Sequence, residues 1–256
     1  MMFEHFGDPN SSPEADLLKA EMTEIIKWAD SRSPRTLQTN LGPSEISSGC
    51  KRAIGMRMAR IPVINEGADP WPAIVGTGIH MWLEQAVKGW AIAHRDHNWR
   101  TEVELPFTEQ LTGHGDLFHV GRGWVVDHKS AGKDRMTEVI KQGPPEKYIN
   151  QVNIYGLGYE LLGYTVTKVG LVFYPRAGRL KDVVAWVEDY DRARAFRSLD
   201  QLPIIEHQLI QLDVINNPHR WEQVDAKPSH DCGYCPYYNF RLSLEQGASD
   251  EGCPGK

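Results

Sequence analysis

Four short segments of this 256-residue chain carry the residue types that cation-assisted cleavage of a phosphodiester needs: Gly76-Thr-Gly-Ile-His80, Gly113-His-Gly-Asp116, Asp127-His-Lys129 and Gln151-Val-Asn-Ile-Tyr155. Each is weak alone, and their order and spacing make the set specific. Two carboxylates and an imidazole suit a hard cation, which points to Mg²⁺ or Mn²⁺ rather than structural zinc. The diester's own negative charge shields it from nucleophiles, and a divalent ion cancels that charge and acidifies bound water. A fixed ammonium, here Lys129, stabilises charge that grows in the transition state, worth roughly 3 kcal/mol by analogy with oxyanion donors.

The elements that must position these groups can be read from pattern. Asp127 and Lys129 are two apart on a strand from Trp124 to Lys129, so they share a face. Asp116 lies on the preceding strand, Leu111 to Val120, across a hairpin turn at Gly121–Gly123. Two carboxylates brought together in a cleft repel unless a cation neutralises them. His80 sits on a helix from about Gly76 to His94, whose early Gly76 and Gly78 suggest close backbone approach. Glu84, one turn later on the same face, reads equally as a supporting partner, an outer ligand or a surface acid.

Elsewhere, Ser12-Pro13-Glu14 is a helix start, and that helix runs to about Asp30. Residues up to Asp8 read as a loose terminus, and Ser31 to Pro43 as a linker. Further helices are expected at 44–60, 148–162 and 191–215, and strands at 101–107, 168–174 and 182–187. The central order, helix, three strands, helix, strand, predicts an α/β sandwich with a mixed sheet. Pro218 to Lys256 is rich in Pro, Gly and Cys and reads as too irregular for a core of its own.

Hydrophobic residues make up 41% of the chain, enough for a sizeable core. No apolar run approaches the roughly 18 residues of a membrane span, and the N-terminus lacks a secretory pattern. The expectation is a cytoplasmic protein with no membrane partner. Net charge is −6, which at first disfavours a nucleic-acid partner. The distribution argues otherwise: Gly121–Lys181 carries ten Lys/Arg against five Asp/Glu, and phosphate contacts need only local charge. A solvated basic face is the plainer reading of the same residues.

The four segments together resemble the RecB-like branch of the PD-(D/E)xK nuclease superfamily, whose pattern is Gly-x-x-x-His on a helix, Gly-x-x-Asp and Asp/Glu-x-Lys on strands, and Gln-x-x-x-Tyr on a helix. The resemblance spans Gly76 to Tyr155. It implies a restriction-endonuclease-like core with a mixed central sheet flanked by helices. It implies that His80, Asp116, Asp127 and the carbonyl of His128 bind the metal, that Asp116, Asp127 and Lys129 are catalytic, and that Gln151 and Tyr155 contact DNA near the scissile phosphate.

The four cysteines, Cys50, Cys232, Cys235 and Cys253, suggest a second inorganic site. Cys232-Gly-Tyr-Cys235 is a common half-site for a cluster or zinc, and in a reducing compartment metal binding is the better reading than a disulfide. One cysteine before the core and three after it resembles the iron–sulfur nucleases, among them the CRISPR-associated Cas-four exonucleases, the AddB nuclease half and phage relatives. That resemblance implies a [4Fe–4S] cluster on all four cysteines, with zinc or free thiols as alternatives. It departs from the family in the seventeen residues between Cys235 and Cys253, which the apolar run Tyr237, Tyr238, Phe240, Leu242 and Leu244 is expected to fold back.

The organisation expected is an N-terminal helical segment with the first cysteine (1–72), the nuclease core (73–217) and a C-terminal iron–sulfur segment (218–256). The function implied is a metal-dependent DNA exonuclease acting on single-stranded ends, in recombination and repair or in CRISPR spacer acquisition, with a partner from either setting. The competing readings are a non-catalytic DNA-binding accessory subunit and a zinc-binding interaction protein.

Overall fold

Alternating apolar and polar residues from Trp99 to Ala131 build three consecutive antiparallel strands. These are β1 (Trp99–Thr108), β2 (Leu111–His119) and β3 (Trp124–Ala131). The computed structural model describes residues 12–33, 40–65, 69–108, 111–228, 230–239, 252, 253 and 255. Two units are distinguished, residues 1–39 and residues 40–256.

Within the second unit, β4 (Lys168–Pro175) lies parallel to β3, and β5 (Val184–Asp189) antiparallel to β4. The sheet order is β1-β2-β3-β4-β5. A parallel pair needs a crossover. Here it is supplied by two helices, called α5 (Lys133–Gln142) and α6 (Glu146–Leu161) below. The buried parallel pair β3–β4 and the α6 face form one core, with Phe118 stacked on Tyr159 at 4.4 Å and Val125, Val152, Leu171 and Phe173 fully buried.

The remaining helices are α1 (Pro13–Asp30), α2 (Pro43–Ile46), α3 (Lys51–Met58), α4 (Trp71–His94), α7 (Arg192–Leu199) and α8 (Gln201–Leu212). The first unit consists of α1 among the described residues. The Ser12 side chain accepts from the Ala15 amide at 3.2 Å, and Pro13, Glu14 and Asp16 occupy the first turn, as the capping signal predicts.

Several elements differ from expectation. The helix read over 44–60 is two, α2 and α3, because Gly49 turns the chain at φ +69° between them. The helix read over 191–215 is also two, α7 and α8; Asp200 ends one and begins the next, and Pro203 stands in the first turn of the second. Helix α5 was not expected, since its charged surface hides a narrow apolar stripe of Met136 and Val139.

The segment after Pro218 does share a core. Trp221, Val224 and Tyr237 are buried with Ile54 and Met56 of α3 and Ile205 and Leu209 of α8. Arg52, itself buried, donates to the carbonyls of Val224 at 2.9 Å and Glu222 at 3.2 Å. Of the apolar run after Cys235, Phe240, Leu242 and Leu244 lie outside the described residues. Among the described residues no helix is long and apolar enough to cross a membrane.

Candidate active site

Strands β2 and β3 pair over only three positions, Leu117↔Val126, Phe118↔Val125 and His119↔Trp124. The next pair in that register would be Asp116 and Asp127. There the ladder stops: β2 stays with β1 and β3 with β4. The split leaves backbone groups without a strand partner, and one is claimed at once, since the His128 amide donates to Asp116 Oδ2 at 2.7 Å. Both acids thus flank a gap in the sheet. Next to Asp116, packing requires Gly115, because a Cβ there would stand 2.6 Å from the Tyr159 hydroxyl.

Helix α4 packs against β1 and β3 and carries His80, whose Nδ1 is 3.4 Å from Asp116 Oδ2. Gly76 makes the close approach expected, with a Cβ position 3.3 Å from Ser130 Oγ, whereas Gly78 faces open space. Glu84 pairs with Lys88 on the helix surface.

Helix α6 brings up a second line of residues against β3. Lys129 Nζ lies 2.6 Å from Asp127 Oδ2 and donates to Gln151 Oε1 at 3.0 Å. Gln151 Nε2 in turn donates to the Tyr155 hydroxyl at 2.8 Å. Asp127, Gln151 and Tyr155 are 1%, 5% and 7% exposed, so the last two stand behind Lys129 with their polar atoms engaged. Lys129 also lies 4.9 Å above the Tyr148 ring, which Lys147 approaches to 5.1 Å. Arg176, at the end of β4, donates to Ser130 just beyond Lys129. Part of the basic stretch seen in the sequence therefore rims this site, while Arg135, Lys168 and Arg179 pair with nearby acids.

Sequence reasoning missed Glu102. It lies on β1, where Thr101 pairs with Leu117 and Val103 with Gly115, so it faces Asp116 directly, yet the two form no bridge. Its φ of 49° is left-handed, uncommon for a residue other than glycine. His80, Glu102 and Asp116 offer ligand atoms all within 4.8 Å of one another. Nothing at the level of motif or period marks Glu102, one acid in the alternating run Glu102-Val-Glu104.

The ionisable groups report a shortage of positive charge. Burial pushes the Glu102 carboxyl up to about 6, with the charges of Asp116 and Glu84 adding to it. Burial also raises Asp127, against the opposing pull of Lys129. For His80, burial disfavours the charged ring, but the hydrogen bond and charge of Asp116 and the charge of Asp127 outweigh it and raise its pKa. Asp116 is buried too, yet His80 and Lys129 hold it below the ordinary carboxylate range. A group of oxygen ligands with one imidazole, short of positive charge, fits a divalent cation of the Mg²⁺/Mn²⁺ type. His128 differs: burial drives its ring down to about 4, so it stays neutral, with Nδ1 3.2 Å from the Tyr174 hydroxyl.

The iron–sulfur expectation is corrected, and with it the Cas-four-type likeness and the iron–sulfur region of the expected fold. Among the described residues the cysteines do not gather as a ligand group. The trio whose ligand atoms come within 4.8 Å of one another is His80, Glu102 and Asp116, and no cysteine belongs to it. Cys50, Cys232, Cys235 and Cys253 are half-buried and line one cleft together with Ala53, Met56 and Tyr237. Cys50 Sγ accepts from the Lys227 amide at 3.5 Å, and Cys253 bridges Tyr238 through its backbone. Burial, with the other three thiols adding to it, pushes the Cys235 thiol up to about 11. Cys235 and Cys253 pack against the apolar core that α3 and α8 share with the segment after Pro218.

A family model described as the PD-(D/E)XK nuclease superfamily matches residues 78–240, well over half of the chain. No curated protein matches it. Among solved structures, the one titled SSO0001 aligns at 18% identity and a TM-score of 0.48, covering 91% of this chain and 96% of that one. The alkaline exonuclease LHK-Exo from Laribacter hongkongensis aligns at 14% identity and 0.43, covering 69% and 95%. A phage-related exonuclease from Haemophilus somnus 129PT aligns at 12% and 0.38, covering 80% and 90%.

Proposed function

The chain belongs to the PD-(D/E)XK nuclease superfamily and is a metal-dependent nuclease, and from that premise we propose that it is a DNA exonuclease that shortens single-stranded ends in recombination or repair. The observation that carries the chemistry is the gap between β2 and β3, where Asp116, Asp127, Lys129 and His80 converge. End specificity rests on the motif resemblance, and DNA as the polymer also on the basic rim.

A divalent cation held by these carboxylates supplies positive charge against the phosphate and makes water a competent nucleophile at neutral pH. The residues of the chain do the rest. Asp116 and Asp127 would hold it, and the motif resemblance adds His80 and the carbonyl of His128. Lys129 gives its ammonium to the attacked phosphate and orients the incoming water. Gln151 holds Lys129 by its carbonyl, and Tyr155 fixes the Gln151 amide, so the ammonium is aimed before substrate arrives. In this reading Gln151 and Tyr155 act on DNA through Lys129. Lys147 and Arg176 take flanking phosphates, which requires no net positive charge on the whole chain.

A time course on end-labelled DNA tests this. Linear and circular, single- and double-stranded substrates are compared in Mg²⁺ and Mn²⁺. Stepwise shortening of linear single strands with circles left intact is expected. Cutting of circular DNA would overturn the exonuclease assignment, and inertness toward every substrate in both metals would overturn the nuclease reading.

A further inference from the structure

We propose that the outward face of α4 is an interface between two copies of this chain, in which the two α4 helices lie antiparallel about a two-fold axis at Gln85. The proposal stands apart from the nuclease reading above.

One helix carries the pattern. The inner side of α4, the side of Gly76 and His80, bears Ile79, Leu83 and Val87, all half-buried, and the helix packs against β1 and β3. At about 100° per residue, Trp71, Gly78, Met81, Trp82, Gly89 and Ile92 fall within an arc of about 100° turned away from His80. All six are exposed, Trp82 by 70% and Ile92 by 81%. Glu84 pairs with Lys88 along one edge of this face, and His94 stacks on Trp90 at 3.6 Å along the other. A helix apolar on both sides belongs inside a larger body. The four large side chains present roughly 600 Å² of apolar surface. That is the top of the range for the largest patch of a monomer, and most of the roughly 800 Å² that each partner gives to a standard interface.

The two glycines identify the occupant. Glycine inside a helix costs stability. Yet a Cβ on Gly78 or Gly89 would meet nothing within 4 Å among the described residues, so packing within one chain gives no reason for either. Counted outward from Gln85, the face is its own complement. In an antiparallel pair, Trp82 of each copy lies over Gly89 of the other, and Ile92 over Gly78, so large meets small four times. A parallel pair would set Trp82 on Trp82 and glycine on glycine, a clash beside a void. At the axis Gln85 meets Gln85, and each side-chain amide can donate to and accept from the other, which fixes the register. His80 faces the other way, so both active sites stay open.

Sedimentation velocity and light scattering on the full chain test this. Wild type should have the mass of two chains. Trp82→Glu should be monomeric with an unchanged circular-dichroism spectrum, since Trp82 is exposed in the single chain. Trp82→Ala and Gly89→Trp should each weaken the dimer at least tenfold. The double variant, which exchanges the large and small partners, should recover it. A monomeric wild type, leaving the face to another segment or a different protein, would overturn the proposal. So would an oligomer that survives Trp82→Glu, or a double variant no tighter than the two single ones.

Discussion

Lys129 donates to Gln151 Oε1 at 3.0 Å while lying 2.6 Å from Asp127 Oδ2. Its ammonium is thus held between a neutral acceptor from α6 and a charged one from its own strand. That arrangement separates two roles. Lys129→Ala should lower kcat by 100-fold or more while DNA binding survives, since it removes a group aimed at the transition state, worth about 3 kcal/mol. Gln151→Ala should lower kcat about tenfold with KM nearly unchanged. Equal kcat for wild type and Lys129→Ala would refute the assigned role.

Divalent cations should stabilise the fold. Burial raises the carboxyls of Asp127 and Glu102 despite the nearby charges of Lys129 and His80, so the site lacks positive charge. At a hundredfold excess over Kd, binding contributes about 2.7 kcal/mol. That should raise Tm by about 5–10 °C for a domain of this size. Chelation should reverse the shift, and Asp116→Asn should abolish it. Thermal melts with and without Mn²⁺ measure both.

Gly115→Ala should damage the site through packing. Its Cβ would fall 2.6 Å from the Tyr159 hydroxyl, and Tyr159 is fully buried in the core. Overpacking of this kind costs about 1–3 kcal/mol. Because Asp116 is the next residue, activity should fall even well below Tm. An unchanged rate would mean that β2 adjusts without moving Asp116.

The Cys235 thiol, pushed up to about 11 by burial and the neighbouring thiols, should react slowly with alkylating agents. The sign is direct: a raised thiol pKa lowers the thiolate fraction, here about 100-fold below an ordinary cysteine at pH 8. Reactivity should keep climbing as pH rises past 9, where an exposed cysteine levels off. Peptide mapping after timed iodoacetamide treatment reads this site by site. Labelling of Cys235 as fast as a free thiol would contradict its burial.

The chain determined by itself whatever depends on neighbours in sequence. The i, i+2 spacing of Asp127 and Lys129 puts both on one strand face, and the i, i+4 spacing of Gln151 and Tyr155 lets one bond the other. The same local logic marks the Ser12 cap and the hairpin that carries Asp116 toward Asp127. Tertiary structure alone decided what depends on distance through space. Glu102 joins the site because β1 lies beside β2 with that pair left unbridged, which no motif records. Gln151 and Tyr155 face inward because α6 covers the parallel pair. The cysteines failed as a sequence argument for the same reason. Their spacing does not say whether four sulfurs share one point or line a cleft; that is set by the packing of α3 and α8 with the segment after Pro218, elements far apart in sequence whose geometry no local pattern encodes.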